Sequence, residues 1–282
     1  MRADRIISWA RGAGVPLALA LLGGCVSSPS SAERAASFQP FASRRVGAEP
    51  LQDFLTQRTA VLIGGMPADA VSTVCTESVA SALKAVHGRY AVGSATAIDA
   101  RGYFLTAAHC LEWQPLHVVR ADGARIRLSM ARVVWRGDPS AEGGDLAVLA
   151  IDESLRGHFS WADPVEAGEP VVGVGPNYDA AADFGLGCFS GRTLKLEKHA
   201  EVEPRGTTVF HSGPMHLGDS GGPLATTGGQ LIAVNVGDIH ELNLLRLSHE
   251  KASRAHRPNL EWLRQLVERD VSSARGTALS GL

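Results

Sequence analysis

Three short stretches of this chain carry residue types that do chemistry together. Leu105-Thr-Ala-Ala-His109-Cys110 runs an apolar segment into a histidine. Gly143-Gly-Asp145-Leu-Ala-Val-Leu149 puts a carboxylate just before another apolar segment, and Gly218-Asp-Ser220-Gly-Gly-Pro223 sets a serine in a glycine turn. A serine hydroxyl is a poor nucleophile until a base within hydrogen-bond reach takes its proton. An imidazole is the usual base, and a carboxylate on its far nitrogen fixes the tautomer and stabilises the cation that forms. Taken singly, each residue has a blander reading: a turn serine, a surface or core histidine, an aspartate marking a strand start. Taken jointly, His109, Asp145 and Ser220 in that chain order supply base, orienting acid and nucleophile, and the order differs from those of two other serine hydrolase scaffolds.

Such residues need a frame that brings three distant stretches together. From about residue 61 the chain breaks into short β-rich segments: Tyr90–Ile98, Tyr103–Thr106, Ile126–Trp135, Leu146–Ile151, Val171–Val174, Cys188–Leu196, Thr207–His211 and Leu231–Val236. Gly, Asp or Pro separate them, which is the spacing of an all-β barrel or sandwich. Asn259 is placed to cap a helix whose Leu260, Leu263, Leu266 and Val267 fall on one face. Lys251, Arg254 and Arg257 just before it read as a mildly basic, solvated loop, and His211 and His216 as loop residues.

With 282 residues, 45% of them hydrophobic, the chain can bury a sizeable core. A net charge of −2 without a long basic stripe excludes nucleic acid as a partner on electrostatic grounds. No C-x-x-C spacing occurs and the ten histidines are scattered, so neither a metal nor an organic cofactor is called for.

The N-terminus reads as an address. Arg2, Arg5 and Arg11 precede a short apolar run from Val15 to Leu22, and Leu22-Gly-Gly-Cys25 closes it. This resembles a bacterial lipoprotein signal, which implies removal of residues 1–24 and lipidation of Cys25; the alternative is an ordinary secretory signal containing a cysteine. Residues 25–60, rich in Ser, Ala and charge, suit a flexible tether. Val26 after Cys25, rather than an acidic residue, favours sorting to the outer membrane, facing the periplasm of a bacterial cell envelope.

Over residues 61–270, GSATAI, TAAHC, DLAVL and GDSGGP together resemble a trypsin-like serine protease of the chymotrypsin fold; residues 271–282 form a tail. That resemblance implies two six-stranded antiparallel β-barrels with a C-terminal helix. It implies an endopeptidase acting on protein or peptide substrates through an acyl-enzyme, with the backbone N–H groups of Gly218 and Ser220 as the oxyanion hole. Pro214 stands where trypsin carries the acidic floor of its primary pocket. With Met215, Val236 and Gly237 assigned to substrate binding, the expected preference is a small or apolar residue before the scissile bond.

Relatives usually pair the cysteine after the histidine with one on the preceding strand, which here has none. Cys110 therefore stays free or finds Cys75 or Cys188, and Cys75–Cys110 is the favoured pair. Val61-Leu-Ile-Gly-Gly65 stands where family zymogens expose an activating N-terminus that pairs with Asp219, and reads instead as a strand ending in a glycine turn. A non-catalytic binding protein on the same fold, an esterase or a narrowly self-processing enzyme remain the rivals, and oligomeric state is left open.

Overall fold

A computed structural model of the chain describes residues 31–74, 77–123, 125–177, 185–201, 203–243 and 248–280. The proposed signal and Cys25 lie outside them, as does Cys75. Two closed barrels, each of six strands, dominate the structure. The first comprises β3 (Thr59–Gly64), β4 (Ala91–Asp99), β5 (Tyr103–Thr106), β6 (Leu116–Asp122), β7 (Arg125–Arg136) and β8 (Ala147–Ala150). The second comprises β9 (Pro170–Asn177), β10 (Gly185–Lys198), β11 (Thr207–His211), β12 (Pro223–Thr226), β13 (Leu231–Asn243) and β14 (Ser248–Arg257). They close in the orders β3-β4-β5-β8-β7-β6 and β10-β11-β14-β13-β12-β9, every pairing antiparallel. The expected all-β, two-barrel architecture is therefore what the chain adopts.

Strand alternation explains how the barrels pack on each other. In β5 all of Tyr103, Phe104, Leu105 and Thr106 are buried. Phe104 points into the first barrel with Leu62, Val118 and Leu149, whereas Tyr103 and Leu105 point into a second cluster shared with Val172, Val174 and Val234 of the other barrel. A strand covered on both faces reads as a continuous apolar run, because neither side-chain row meets water. The second barrel has its own core around Phe189, Val209, Leu224 and Ile232.

Three features differ from the sequence reading. Residues 31–58, taken as tether, are folded: α1 (Ser31–Phe38), a small ribbon of β1 (Arg45–Val46) and β2 (Glu49–Pro50), and α2 (Leu51–Thr56). Phe38, Leu51 and Leu55 are buried in the cluster between the barrels, and that burial supplies what the polar composition hides. Second, the supposed basic loop is strand β14, paired on both sides with β11 and β13. Two of its polar side chains are bonded to other elements rather than solvated: Ser253 Oγ donates to the Gly213 carbonyl (2.7 Å), and Arg257 donates to the carbonyls of Ala162 and Ile232. Third, His211 is a buried residue ending β11, with Nε2 3.1 Å from Asn235 Oδ1.

The C-terminal helix is α4 (Leu260–Ser280), and the Asn259 side chain accepts from Trp262 N at 3.0 Å as its cap. Tyr103 OH donates to Asp270 (2.6 Å), and Arg101 bridges to Glu268 (2.9 Å), which ties the helix to the first barrel.

Candidate active site

His109 sits in a 3-10 turn (Ala108–Leu111) that leaves the end of β5, and Asp145 precedes β8 by two residues. The register pairs Thr106 with Ala147, so neighbouring strands deliver the two side chains to one point. His109 Nδ1 lies 2.7 Å from Asp145 Oδ2, and Asp145 Oδ1 accepts from the His109 backbone N–H at 3.0 Å. A carboxylate using one oxygen on the main chain and the other on the ring holds the imidazole in a single orientation. The bond to Asp145 raises the pKa of His109 above that of an ordinary histidine, with a smaller push from the Cys110 side chain and against the effect of burial.

Ser220 comes from the other barrel, in the loop leading into β12. Its turn depends on glycine: Gly218 and Gly221 have φ of 92° and 90°, where a side chain is strained, and a Cβ on Gly221 would collide with the Ser94 carbonyl. The loop is fastened across the interface by β4. Ser94 Oγ donates to the Gly218 carbonyl (2.8 Å), Ser94 N to the Ser220 carbonyl (2.8 Å), and Thr96 Oγ1 to the Gly221 carbonyl (2.8 Å). Gly221 N donates in turn to the Asn235 carbonyl at 2.7 Å. With those carbonyls occupied, the N–H groups of Gly218 and Ser220 bond to no chain atom among the described residues.

His109, Ser220 and Gly218 line one cleft of about 220 Å³, together with Cys110, Trp113 and Leu217. Among the described residues the Ser220 hydroxyl makes no hydrogen bond to the His109 ring; such contacts commonly tighten only around substrate. Trp113 and Leu217 are 61% and 86% exposed on the cleft's rim, an apolar surface next to the serine that the motifs did not reveal. An exposed tryptophan three residues beyond Cys110 and a leucine just before Gly218 were the available signals.

The remaining expected site residues lie outside the lining of that cleft. Met215 is 4% exposed and packs in the core of the second barrel with Phe189 and Ala233, while Pro214 is partly covered. Val236 is buried and Gly237, with φ of 156°, sits at a bulge opposite Arg254. None of the four lines the cleft that holds His109 and Ser220. Cys110, favoured to pair with Cys75, is a free thiol with Sγ 3.7 Å from the Ser220 carbonyl, and Cys188 is a free thiol that burial pushes up to about 12.

Fold and site together define a class, a two-barrel protein with a histidine–carboxylate pair facing a glycine-turn serine across a cleft. The Trypsin-like peptidase domain family matches residues 93–234, half of the chain, and the chain belongs to that family. It is 27% identical over 150 residues to a probable periplasmic serine endoprotease, DegP-like, of Pseudomonas fluorescens, covering 51% of this chain and 29% of that protein. Among solved structures it resembles the serine endoprotease from Yersinia pestis (TM-score 0.53, 18% identity, 77% of this chain and 65% of that one). It also resembles the HtrA-type protease AlgW with tripeptide (TM-score 0.51, 20% identity, 84% and 62%). The chain thus spans under a third of the DegP-like relative and under two thirds of these structures, and the structural likenesses bear on the fold alone.

Proposed function

We propose that this protein is a serine endopeptidase of a bacterial cell envelope that cleaves peptide bonds through an acyl-enzyme. The observation that carries this reading is the 2.7 Å bond between His109 Nδ1 and Asp145 Oδ2, which turns the other ring nitrogen toward the cleft holding Ser220. Ser220 Oγ attacks the substrate carbonyl carbon while its proton passes to His109 Nε2, and the carbonyl π electrons move onto oxygen. The resulting oxyanion lies against the N–H groups of Gly218 and Ser220, donors already aimed and costing no reorganisation. As the tetrahedral adduct collapses, His109 gives its proton to the leaving amine. Water then repeats the sequence on the ester, with His109 again as base, and frees Ser220. Asp145 holds the ring through Nδ1 and stabilises the imidazolium that forms.

On this reading Pro214, Met215, Val236 and Gly237, none of which lines the cleft of His109 and Ser220, bound a neighbouring pocket for the residue before the scissile bond. Pro214 offers no carboxylate for Lys or Arg, and Met215 is withdrawn into the barrel core, so a small or apolar residue is the expected partner. Trp113 and Leu217 extend apolar contact along the cleft that holds Ser220. Residues 1–24 act as a signal and lipid on Cys25 anchors the mature chain, preferentially to the outer membrane on its periplasmic side. The description of the Pseudomonas relative as periplasmic supports an envelope location. The protease body takes in residues 31–58 as well as 61–270, because Phe38, Leu51 and Leu55 contribute to its core.

A fluorophosphonate probe tests the assignment on wild type, Ser220→Ala and His109→Ala. Labelling of wild type alone is expected. An unlabelled wild type, or equal labelling of Ser220→Ala, removes the enzyme reading in favour of a binding protein. Labelling without cleavage of any peptide in a mixed library points to the esterase or self-processing alternative.

A further inference from the structure

The most deeply buried ion pair among the described residues joins the first helix to the loop of the nucleophile. Arg34, in α1, is 2% exposed, and Asp219, next to Ser220, is fully buried; Arg34 Nη2 lies 2.8 Å from Asp219 Oδ1. The same nitrogen reaches the Gly187 carbonyl at 3.2 Å, and the guanidinium stands 5.3 Å from the centre of the Phe189 ring. Helix α1 is seated on β10 beneath it, where Ser190 N donates to Ser37 Oγ at 3.4 Å and Phe38 enters the core. Arginine is almost never buried unless something requires its charge.

What requires it is the other half of the Asp219 carboxylate. Oδ2 accepts from the His216 backbone N–H at 2.7 Å, and Asp219 N donates back to the His216 carbonyl at 3.1 Å. One carboxylate therefore braces the turn 216–219 from within, and that turn aims the N–H groups of Gly218 and Ser220. The room around it is minimal: a Cβ on Gly175 would collide with Asp219 Oδ1. Without the guanidinium, the fully buried carboxylate would lose the charge that lies 2.8 Å from Oδ1, and a carboxylate no longer held on that side loosens the brace.

We propose that Arg34 is a positioning residue for the reaction and that α1 is an in-chain latch, with Arg34 docked on Asp219 holding the Ser220 loop in its reactive form. Release of residues 31–41 relaxes the loop and silences the enzyme while both barrels stay folded. This rests on the reading of Ser220 as nucleophile. It makes the N-terminal segment a control point: whatever pulls, cuts or covers it changes the rate at Ser220 without touching the cleft.

The test compares the mature chain with Arg34→Met, Arg34→Lys and Arg34→Ala, reading the rate of fluorophosphonate labelling, kcat and KM on one cleaved peptide, and the thermal midpoint. Arg34→Met is expected to slow labelling by about 10²-fold, the scale of losing an oxyanion donor. The loss should fall on kcat, with KM little changed, and Arg34→Lys should restore part of it. Millimolar ethylguanidinium should accelerate Arg34→Ala and leave wild type unaffected, a rescue that a purely structural role does not give. A folded Arg34→Met labelled at the wild-type rate overturns the proposal.

Should that variant fail to fold, a protease site placed at residues 42–44 of the wild-type protein decides the matter after folding. Cutting and removing the segment should abolish rapid labelling, and a peptide of residues 31–41 should restore it; undiminished labelling after removal overturns the latch. A wild type that is never labelled refutes the hydrolase reading itself, which is a separate outcome.

Discussion

The two barrels contribute to the site in opposite ways. The first builds its half internally: β5 and β8 are neighbours, and their register alone brings His109 to Asp145. The second builds its half from borrowed supports. The Ser220 loop is held by Ser94 and Thr96 from the first barrel and by Arg34 from the N-terminal helix, as well as by Asn235 of its own sheet. The proposed base is thus a property of one barrel, and the proposed nucleophile a property of the assembled molecule. A defect in docking should spare the histidine–carboxylate pair and disable the serine.

The largest expected effects strike the self-contained half. His109→Ala and Asp145→Asn should each lower kcat about 10⁴-fold with the fold intact, measured on a peptide substrate with the thermal midpoint as control. Asp145→Asn also carries a pH signature. The carboxylate raises the His109 pKa, so a larger share of His109 is protonated and idle at a given pH, and activity climbs with pH along a limb above the ordinary histidine range. Without that charge the limb should move to lower pH while the plateau falls. An unmoved limb would mean that His109 is not the titrating base.

The second barrel should prove the more acid-labile partner, although burial also lowers the pKa of His117 in the first. His256 in β14 is buried, and desolvation brings its pKa down to about 4 from the ordinary 6.5. Unfolded His256 binds a proton below about pH 6.5 whereas the folded residue resists until about pH 4. Its neutral burial is therefore harmless above pH 6.5 and destabilises progressively as pH falls between those values, by about 3 kcal/mol in all. Denaturant titrations of wild type and His256→Leu from pH 7 to 4 check this, the variant showing the shallower decline.

Smaller is the effect of Ser94→Ala, which leaves the Gly218 carbonyl without its buried donor. A cost of about 1–2 kcal/mol and a fall of about tenfold in kcat are expected, with the His109 pH limb unmoved. A shift of that limb would show that the halves are coupled more tightly than their construction implies. Smallest of all, Arg101→Ala removes exposed ion pairs to Asp99 and Glu268 and should alter stability by no more than about 0.5 kcal/mol.

Legibility in the sequence followed the same division. The strands of the first barrel that carry the base, Tyr103–Thr106 and the segment at Leu146–Ile151, announce themselves because strands buried on both faces are continuously apolar. The histidine, carboxylate and glycine turn were readable as types and order. Strand β14 was not, since Ser253 and Arg257 carry polar groups whose partners, the carbonyls of Gly213, Ile232 and Ala162, lie on other elements. Helix α1 was hidden for the same reason. Ser31–Phe38 has the composition of a linker, and the groups that give Arg34 a reason to be buried, Asp219 and the Gly187 carbonyl, lie 185 and 153 residues away. The favoured Cys75–Cys110 bond misread Cys110, a free thiol beside the Ser220 carbonyl, because spacing along a chain does not measure separation in space.

The Arg34–Asp219 pair also imposes an order in time. Arg34 leaves the ribosome ahead of its partner, which is made 185 residues later. Chains are synthesised from the N-terminus, and contacts of such long sequence separation close late because their loop entropy must be overcome first. The His109–Asp145 pair spans 36 residues and is complete long before. A growing chain therefore carries a finished histidine–carboxylate pair with no brace on the Ser220 loop, and that brace forms only when Arg34 meets Asp219.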